Sequence, residues 1–222
     1  MREPGLLFDL DGVLINSGQY HWRAWKRLME EGAPLSMDYE SFLATFGKRN
    51  EEILAQVAPE GDHTELAKRK EELFRAEIDG EIELLDGVEE FLQEVDRRGL
   101  PRIIASSTPP ENLHFFLTGT PLGRYFDQAI SGSEVSHGKP APDLFLAAAA
   151  RIEIEPSHCI VFEDSPAGLQ AGAAAGSFVV ALATTHASDQ LDPYDMVVPS
   201  LAQVDFDVMV ERWEATIANP EQ

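Results

Sequence analysis

The sequence predicts an α/β fold: a Rossmann-like core of parallel strands with helices on both faces, carrying a small α-helical cap. Three observations predict it. Gly5 to Asp9 is a short apolar run ending in an acid, as a buried strand does. From Gly87 onward, strand-length apolar runs alternate with helical patterns, the signature of βαβ units. Between these two regions, residues 17–83 carry helical spacing and no strand signal.

The elements follow in order. Tyr20, Trp22, Ala24, Trp25, Leu28 and Met29 space a helix from about Ser17 to Glu31, stopped near Gly32 and Pro34. Further helical segments fill Asp38 to Ile78, with turns around Gly47 and at Pro59-Glu60-Gly61. Leu84-Leu85 leads into a helix over Gly87 to Arg98. Pro101 to Ala105 is then a strand, Glu111 to Thr118 a helix, Gln128 to Ser131 a short strand and Pro142 to Arg151 a helix. Cys159 to Phe162, Phe178 to Ala183 and Met196 to Val198 read as strands. Pro166 to Ala175 and about Phe206 to Thr216 read as helices. The expected core is 1–16 plus 84–222, and the expected cap is 17–83. Two crossings, near residues 15–17 and 79–86, would let the cap move as a hinge.

With 222 residues and 44% hydrophobic content, the chain can fill one such core and a modest insertion. No signal peptide or membrane-spanning run is expected, and lone Cys159 reads as a small core residue. A cytoplasmic protein, monomer or weak homodimer, is the expectation. The net charge of −22 argues against nucleic acid and anionic membranes as partners. Lysines are few (Lys26, Lys48, Lys68, Lys70 and Lys139), and acid excess with so few fits adaptation to a high-salt cytoplasm, where ions screen self-repulsion.

In an open parallel sheet, ligands bind beyond the carboxyl ends of the strands. Those ends here carry Asp9 and Asp11, then Ser106, then Lys139 in a following loop, then Glu163 and Asp164. Singly, each would be a turn, a cap or a solvated charge. Together they converge on one edge. Asp9 and Asp11 repel if both stay ionised, unless a cation sits among the acids. Asp9, Asp11 and Asp164 offer hard oxygens suited to Mg²⁺ and a phosphate ester, while the absence of histidine and thiolate disfavours zinc. Electrostatic positioning of that kind serves phosphoryl transfer.

Phe8-Asp9-Leu10-Asp11-Gly12-Val13-Leu14 resembles motif I of the haloacid dehalogenase superfamily of phosphatases and phosphomutases. Ile103-Ile104-Ala105-Ser106-Ser107 resembles motif II. Gly138-Lys139-Pro140-Ala141-Pro142-Asp143 and Val161-Phe162-Glu163-Asp164-Ser165-Pro166-Ala167-Gly168 resemble motifs III and IV. The resemblance implies Asp9 as nucleophile and Asp11 as general acid/base. It implies that Ser106 bonds a phosphoryl oxygen and that Lys139 neutralises Asp9 and the transferring group. Asp9, Asp164 and the main-chain carbonyl of Asp11 would bind magnesium, with Glu163 assisting from further out. Gly12 allows a tight turn beside the phosphate, where it and Ser107 would bind substrate.

Tyr20-His21-Trp22-Arg23-Ala24-Trp25 resembles β-phosphoglucomutase and its phosphatase relatives, which implies that His21, Arg49 and Lys70 bind a sugar phosphate from the cap side. Two departures count against a mutase. Prolines 109 and 110 stand where a Lys-Asn pair would help hold a second phosphate, and Asn16-Ser17 replaces the usual acid-hydroxyl pair. The expectation is a magnesium-dependent phosphatase of a small phosphorylated metabolite, a sugar phosphate by preference. The alternatives are a phosphosugar mutase, a dehalogenase attacking carbon, or a non-catalytic binding module on the same fold.

Overall fold

The computed structural model describes residues 3–78 and 82–218. Six strands form one parallel sheet: β1 (Gly5–Phe8), β2 (Arg102–Ser106), β3 (Ala129–Ser131), β4 (Cys159–Glu163), β5 (Phe178–Leu182) and β6 (Met196–Val198). Their order is β3-β2-β1-β4-β5-β6. Leu6 pairs with Arg102 on one side and Ile160 on the other, so β1 is central and the topology reverses between β1 and β4. That reversal opens a crevice at the carboxyl ends of these two strands.

Burial explains the strands. All residues of β1, β4 and β5 are buried, as a sheet covered on both faces requires. Leu6 and Phe8 point to one face and Leu7 to the other, with the two-residue period of a strand. Phe8 stacks on Phe162 at 4.6 Å between ring centres. Helices α5 (Val88–Arg98) and α9 (Phe206–Ala218) cover that face through Phe91, Met209 and Trp213. Helix α7 (Asp143–Arg151) covers the other through Phe145 and Ala148. Cys159 is buried there too, and burial, then the charge of Glu155, pushes its thiol up to about 12. It is an inert core residue.

Among the described residues, four helices lie between β1 and α5: α1 (Gly18–Glu30), α2 (Tyr39–Thr45), α3 (Asn50–Val57) and α4 (His63–Glu77). Asp38 and Asp62 cap α2 and α4 by accepting from Ser41 N and Glu65 N. Helices α1 and α4 pack together through Trp25, Leu28 and Phe74, and their apolar surface is continuous with the core under β1. The chain enters and leaves this insertion side by side: Asn16 N donates to Glu83 O at 3.0 Å, and Ile15 bridges Leu84. Residues 79–81 of the expected return crossing lie outside the described residues. Helices α6 (Pro110–Gly119) and α8 (Pro166–Ala174) begin just beyond β2 and β4, and Ser165 caps α8 by accepting from Gly168 N.

Every strand and helix expected from the sequence is present, with ends displaced by a residue or two. One displacement matters: β1 stops at Phe8, so Asp9 is the first residue past the strand and not its last. Its amide still donates to Phe162 O at 3.0 Å, which fixes where the carboxylate starts.

Candidate active site

The strand ends converge as the sequence suggests. Lys139, fully buried, donates to Asp9 Oδ1 at 2.8 Å and to Glu163 Oε1. Burial opposes its charge, but Asp9 and Glu163 overcome that and raise its pKa, so it remains an ammonium. Burial raises Asp9 to about 7 despite the opposing pull of Lys139, with the charges of Glu163 and Asp11 adding to the rise. Glu163 Oε2 accepts from Asp164 N at 2.9 Å, Ser165 N at 3.0 Å and Ser165 Oγ at 3.0 Å. Its role is therefore set by Lys139 and by the start of the next helix.

Asp164 is different. Both carboxylate oxygens are buried without a hydrogen-bond partner among the described residues. Burial, Glu163 and Asp9 drive its pKa well up; the Thr185 hydroxyl draws it down in part without closing a hydrogen bond. Oxygens of Asp9, Glu163 and Asp164 lie within 4.8 Å of one another, a grouping that could hold a metal ion. Three buried acids against one lysine are electrostatically incomplete, and orphaned oxygens call for a cation. Gly12, at φ +80°, leaves room here, since a Cβ would fall on Asp164 Oδ2.

A pH prediction follows for the metal-free protein. A carboxyl whose folded pKa is raised binds its proton more tightly when folded, so stability is lost as pH climbs from the unfolded value near 3.9 towards 7. A divalent cation binds the ionised form and reverses that loss. The melting temperature in Mg²⁺ minus that in chelator should therefore be small near pH 5 and widen to about 5–10 °C at pH 8. A gap that is constant from pH 5 to pH 8 would contradict it.

Asp11 faces away from this cluster. Its Oδ1 accepts from Ser17 Oγ at 2.5 Å and lies 3.2 Å from His21 Nε2, and its Oδ2 accepts from Thr108 Oγ1 at 2.6 Å. Burial would raise its pKa, but the His21 ring and the Ser17 and Thr108 hydrogen bonds outweigh that and hold it far below the usual carboxylate range. Its side chain is thus an ionised hydrogen-bond acceptor and not a member of the acidic grouping.

A narrow cleft lies between these loops and the helical insertion. Asp9, Asp11 and Ser106 form its floor, Trp25, Phe42 and Phe46 an apolar wall. Ser106, last in β2, is buried and accepts from Thr108 N at 3.1 Å. Ser107 also lines the cavity and donates to Gly47 O at 2.6 Å, tying core to insertion. His186 makes a second tie, its ring reaching Asp164 O at 3.0 Å and Leu43 O at 3.2 Å.

The cap-side cations stand differently from expectation. Lys70 lines the cavity but is 1% exposed and donates to Glu71 Oε1 at 2.7 Å and His21 Nδ1 at 2.6 Å. Arg49 is outside the lining: its guanidinium pairs with Glu52 and reaches the carbonyls of Gly132 and Val135 at 3.4 Å. A glutamate three residues on claims it. Lys48 lines the cavity and makes no ion pair among the described residues. Thr108, Asn50 and Glu71 were not singled out from the sequence, although Thr108 sits two residues past Ser106 and Glu71 next to Lys70.

A family model of haloacid dehalogenase-like hydrolases matches residues 4–176. The chain is 34% identical over 209 residues to validoxylamine A 7'-phosphate phosphatase of Streptomyces hygroscopicus subsp. limoneus, covering 89% of this chain and 94% of that protein. It is 31% identical over 179 residues to fructose-1-phosphate phosphatase YqaB of Escherichia coli (strain K12), covering 79% and 94%. The crystal structure of β-phosphoglucomutase from Clostridium difficile shares the fold, with a TM-score of 0.88, 24% identity, and 98% and 100% of the two chains covered.

Proposed function

The chain belongs to the haloacid dehalogenase-like hydrolases, and from that premise we propose a magnesium-dependent phosphatase of small phosphorylated metabolites, sugar phosphates foremost. The observation that carries this is Asp9: a buried carboxylate held by Lys139, beside the unpartnered oxygens of Asp164, two residues from an Asp11 with three hydrogen-bonding neighbours. Similarity to a validoxylamine A 7'-phosphate phosphatase and a fructose-1-phosphate phosphatase supports the substrate class.

In this mechanism an Asp9 oxygen attacks phosphorus in line, forming the aspartyl phosphate as the bond to the leaving oxygen breaks. Asp11 gives that oxygen its proton and later takes one from the water that hydrolyses the intermediate. The Asp11 described above is the ionised form, ready for the second step. An arriving phosphate adds negative charge close by and favours the protonated form needed for the first. Ser106, Ser107 and the turn at Gly12 offer donors to phosphoryl oxygens, and Lys139 neutralises Asp9 and the group in transit. Asp9, Asp164 and the Asp11 carbonyl would hold magnesium, with Glu163 assisting; the ion supplies charge stabilisation to the phosphoryl oxygens.

The insertion, taken as a cap of residues 17–83 hinged on a core of 1–16 and 84–222, would close over the substrate. Of the expected cap contacts, His21 and Lys70 would act through Asp11, and Arg49 would reach substrate only by leaving Glu52. Lys48, which lines the cleft and makes no ion pair among the described residues, is available to draw an anion into a protein of charge −22. Lys48, with Pro109 and Pro110 after motif II, offers little to the second phosphate of a bisphosphate.

The test is phosphate release from a panel of sugar phosphates with Mg²⁺ and with chelator, beside conversion of β-glucose 1-phosphate to glucose 6-phosphate in the presence of a bisphosphate primer. Magnesium-dependent release faster than isomerisation is expected. Isomerisation outpacing release would make the enzyme a mutase, and no turnover of any phosphate ester would leave only a binding module.

A further inference from the structure

A buried polar chain leaves Asp11, crosses the helical insertion and returns to the core. From His21, on α1, it passes to Lys70 and then to Glu71 on α4. Glu71 Oε1 also accepts from Asn50 Nδ2 at 2.6 Å, and Glu71 Oε2 accepts from Asn112 Nδ2. Asn112 Oδ1 accepts from Arg75 Nη1 at 2.6 Å. Asn112 belongs to α6, the helix that follows the Ser106 loop, and is 0% exposed. The two ends of the chain, Asp11 and Asn112, flank the insertion, and every link between them is on α1, α3 or α4.

Chemistry fixes the direction of each bond. Arg75 has only donors, so it takes the Asn112 oxygen and turns the amide NH₂ towards Glu71. An ammonium likewise has only donors, so Lys70 makes His21 Nδ1 the acceptor and leaves Nε2–H to donate to Asp11. Glu71 supplies the counter-charge for an ammonium almost wholly out of water. Were Asn112 to withdraw, Glu71 would keep Lys70 and Asn50 but lose its grip on the core, and an amide and a carboxylate oxygen would be left unpaired.

We propose that Asn112 is a positioning residue: by gripping Glu71 it holds the insertion seated and, through Lys70 and His21, sets the hydrogen bond that Asp11 receives. This rests on the phosphatase mechanism above, in which Asp11 serves the leaving group. Proton delivery is thereby tied to the seated insertion, because His21, carried on α1, meets Asp11 of the core only while the insertion is seated.

The experiment compares kcat/KM in Mg²⁺ for phenyl phosphate and 4-nitrophenyl phosphate, esters of similar shape whose leaving groups differ in acidity. Phenolate, the anion of an acid of pKa about 10, needs a proton far more than nitrophenolate does. Asn112→Ala should lose about tenfold on phenyl phosphate and less than about threefold on the nitrophenyl ester. Arg75→Met, at a half-buried site, should act in the same direction with a smaller loss, and it carries the test if Asn112→Ala does not fold. Equal losses on both esters, or none on either, would overturn the role of Asn112 while leaving the phosphatase intact. A wild-type protein that turns over neither these esters nor any sugar phosphate of the panel would overturn both.

Discussion

Asp9→Asn is expected to lower kcat by about 10⁵-fold while leaving the protein folded and, without metal, at least as stable as wild type. The amide places a poor nucleophile where the carboxylate would attack, so no aspartyl phosphate forms. Its effect on stability has the opposite sign to the usual site mutation. Asp9 is raised to about 7 by burial and by Glu163 and Asp11, so above that pH its charge is a burden to the metal-free fold. Removing the charge relieves Asp164 and Glu163 and leaves Lys139 paired with Glu163. Magnesium should protect the variant less than wild type, because one oxygen ligand is gone. Single-turnover phosphate release and melting curves with and without Mg²⁺ at pH 8 measure both effects. Substantial turnover by a stable Asp9→Asn would defeat the covalent mechanism.

Asp9, Asp11, Ser106, Lys139 and Asp164 were legible because a parallel sheet sends its strand ends to one edge, and strands are recognisable from short apolar runs. The insertion side was less so. Lys70 reads as an open cation, yet it sits in the buried stripe of α4: Ala67, Lys70 and Phe74 fall at i, i+3 and i+7 on one helix face. A charge inside an apolar stripe signals a buried partner, and Glu71 beside it supplies the charge. Arg49 paired with Glu52 is an ordinary i, i+3 contact and equally visible. The meeting of Glu71 with Asn112, 41 positions apart, was not legible. It depends on how α4 docks on α6, which no local pattern encodes.

Lys139→Met should be the most destabilising single change in the site, costing about 3–5 kcal/mol near neutral pH without metal, or roughly 10 °C in melting temperature. Methionine preserves most of the buried stem, so the loss measures the charge, including its place over the Phe145 ring, rather than volume. Asp9 and Glu163 lose their shared cation, and with Asp164 they form three buried acids with no lysine among them. Each can escape by binding a proton, which the folded variant does more readily than the unfolded chain. The deficit should therefore shrink as pH falls towards 5 and deepen as it rises to 8. Magnesium should restore part of the stability, since it too neutralises the acids, but not the activity, since no ammonium remains to neutralise the group in transit; kcat should stay about 10³-fold down. Lys139→Arg should rescue little, because a planar fork does not fit a fully buried point-charge site. Urea titrations at pH 5.5 and pH 8, with and without Mg²⁺, separate these terms. Equal stability of variant and wild type at pH 8 without metal would mean that the acids are not charged in the fold, and the case for a cation between Asp9 and Asp164 would fall with it.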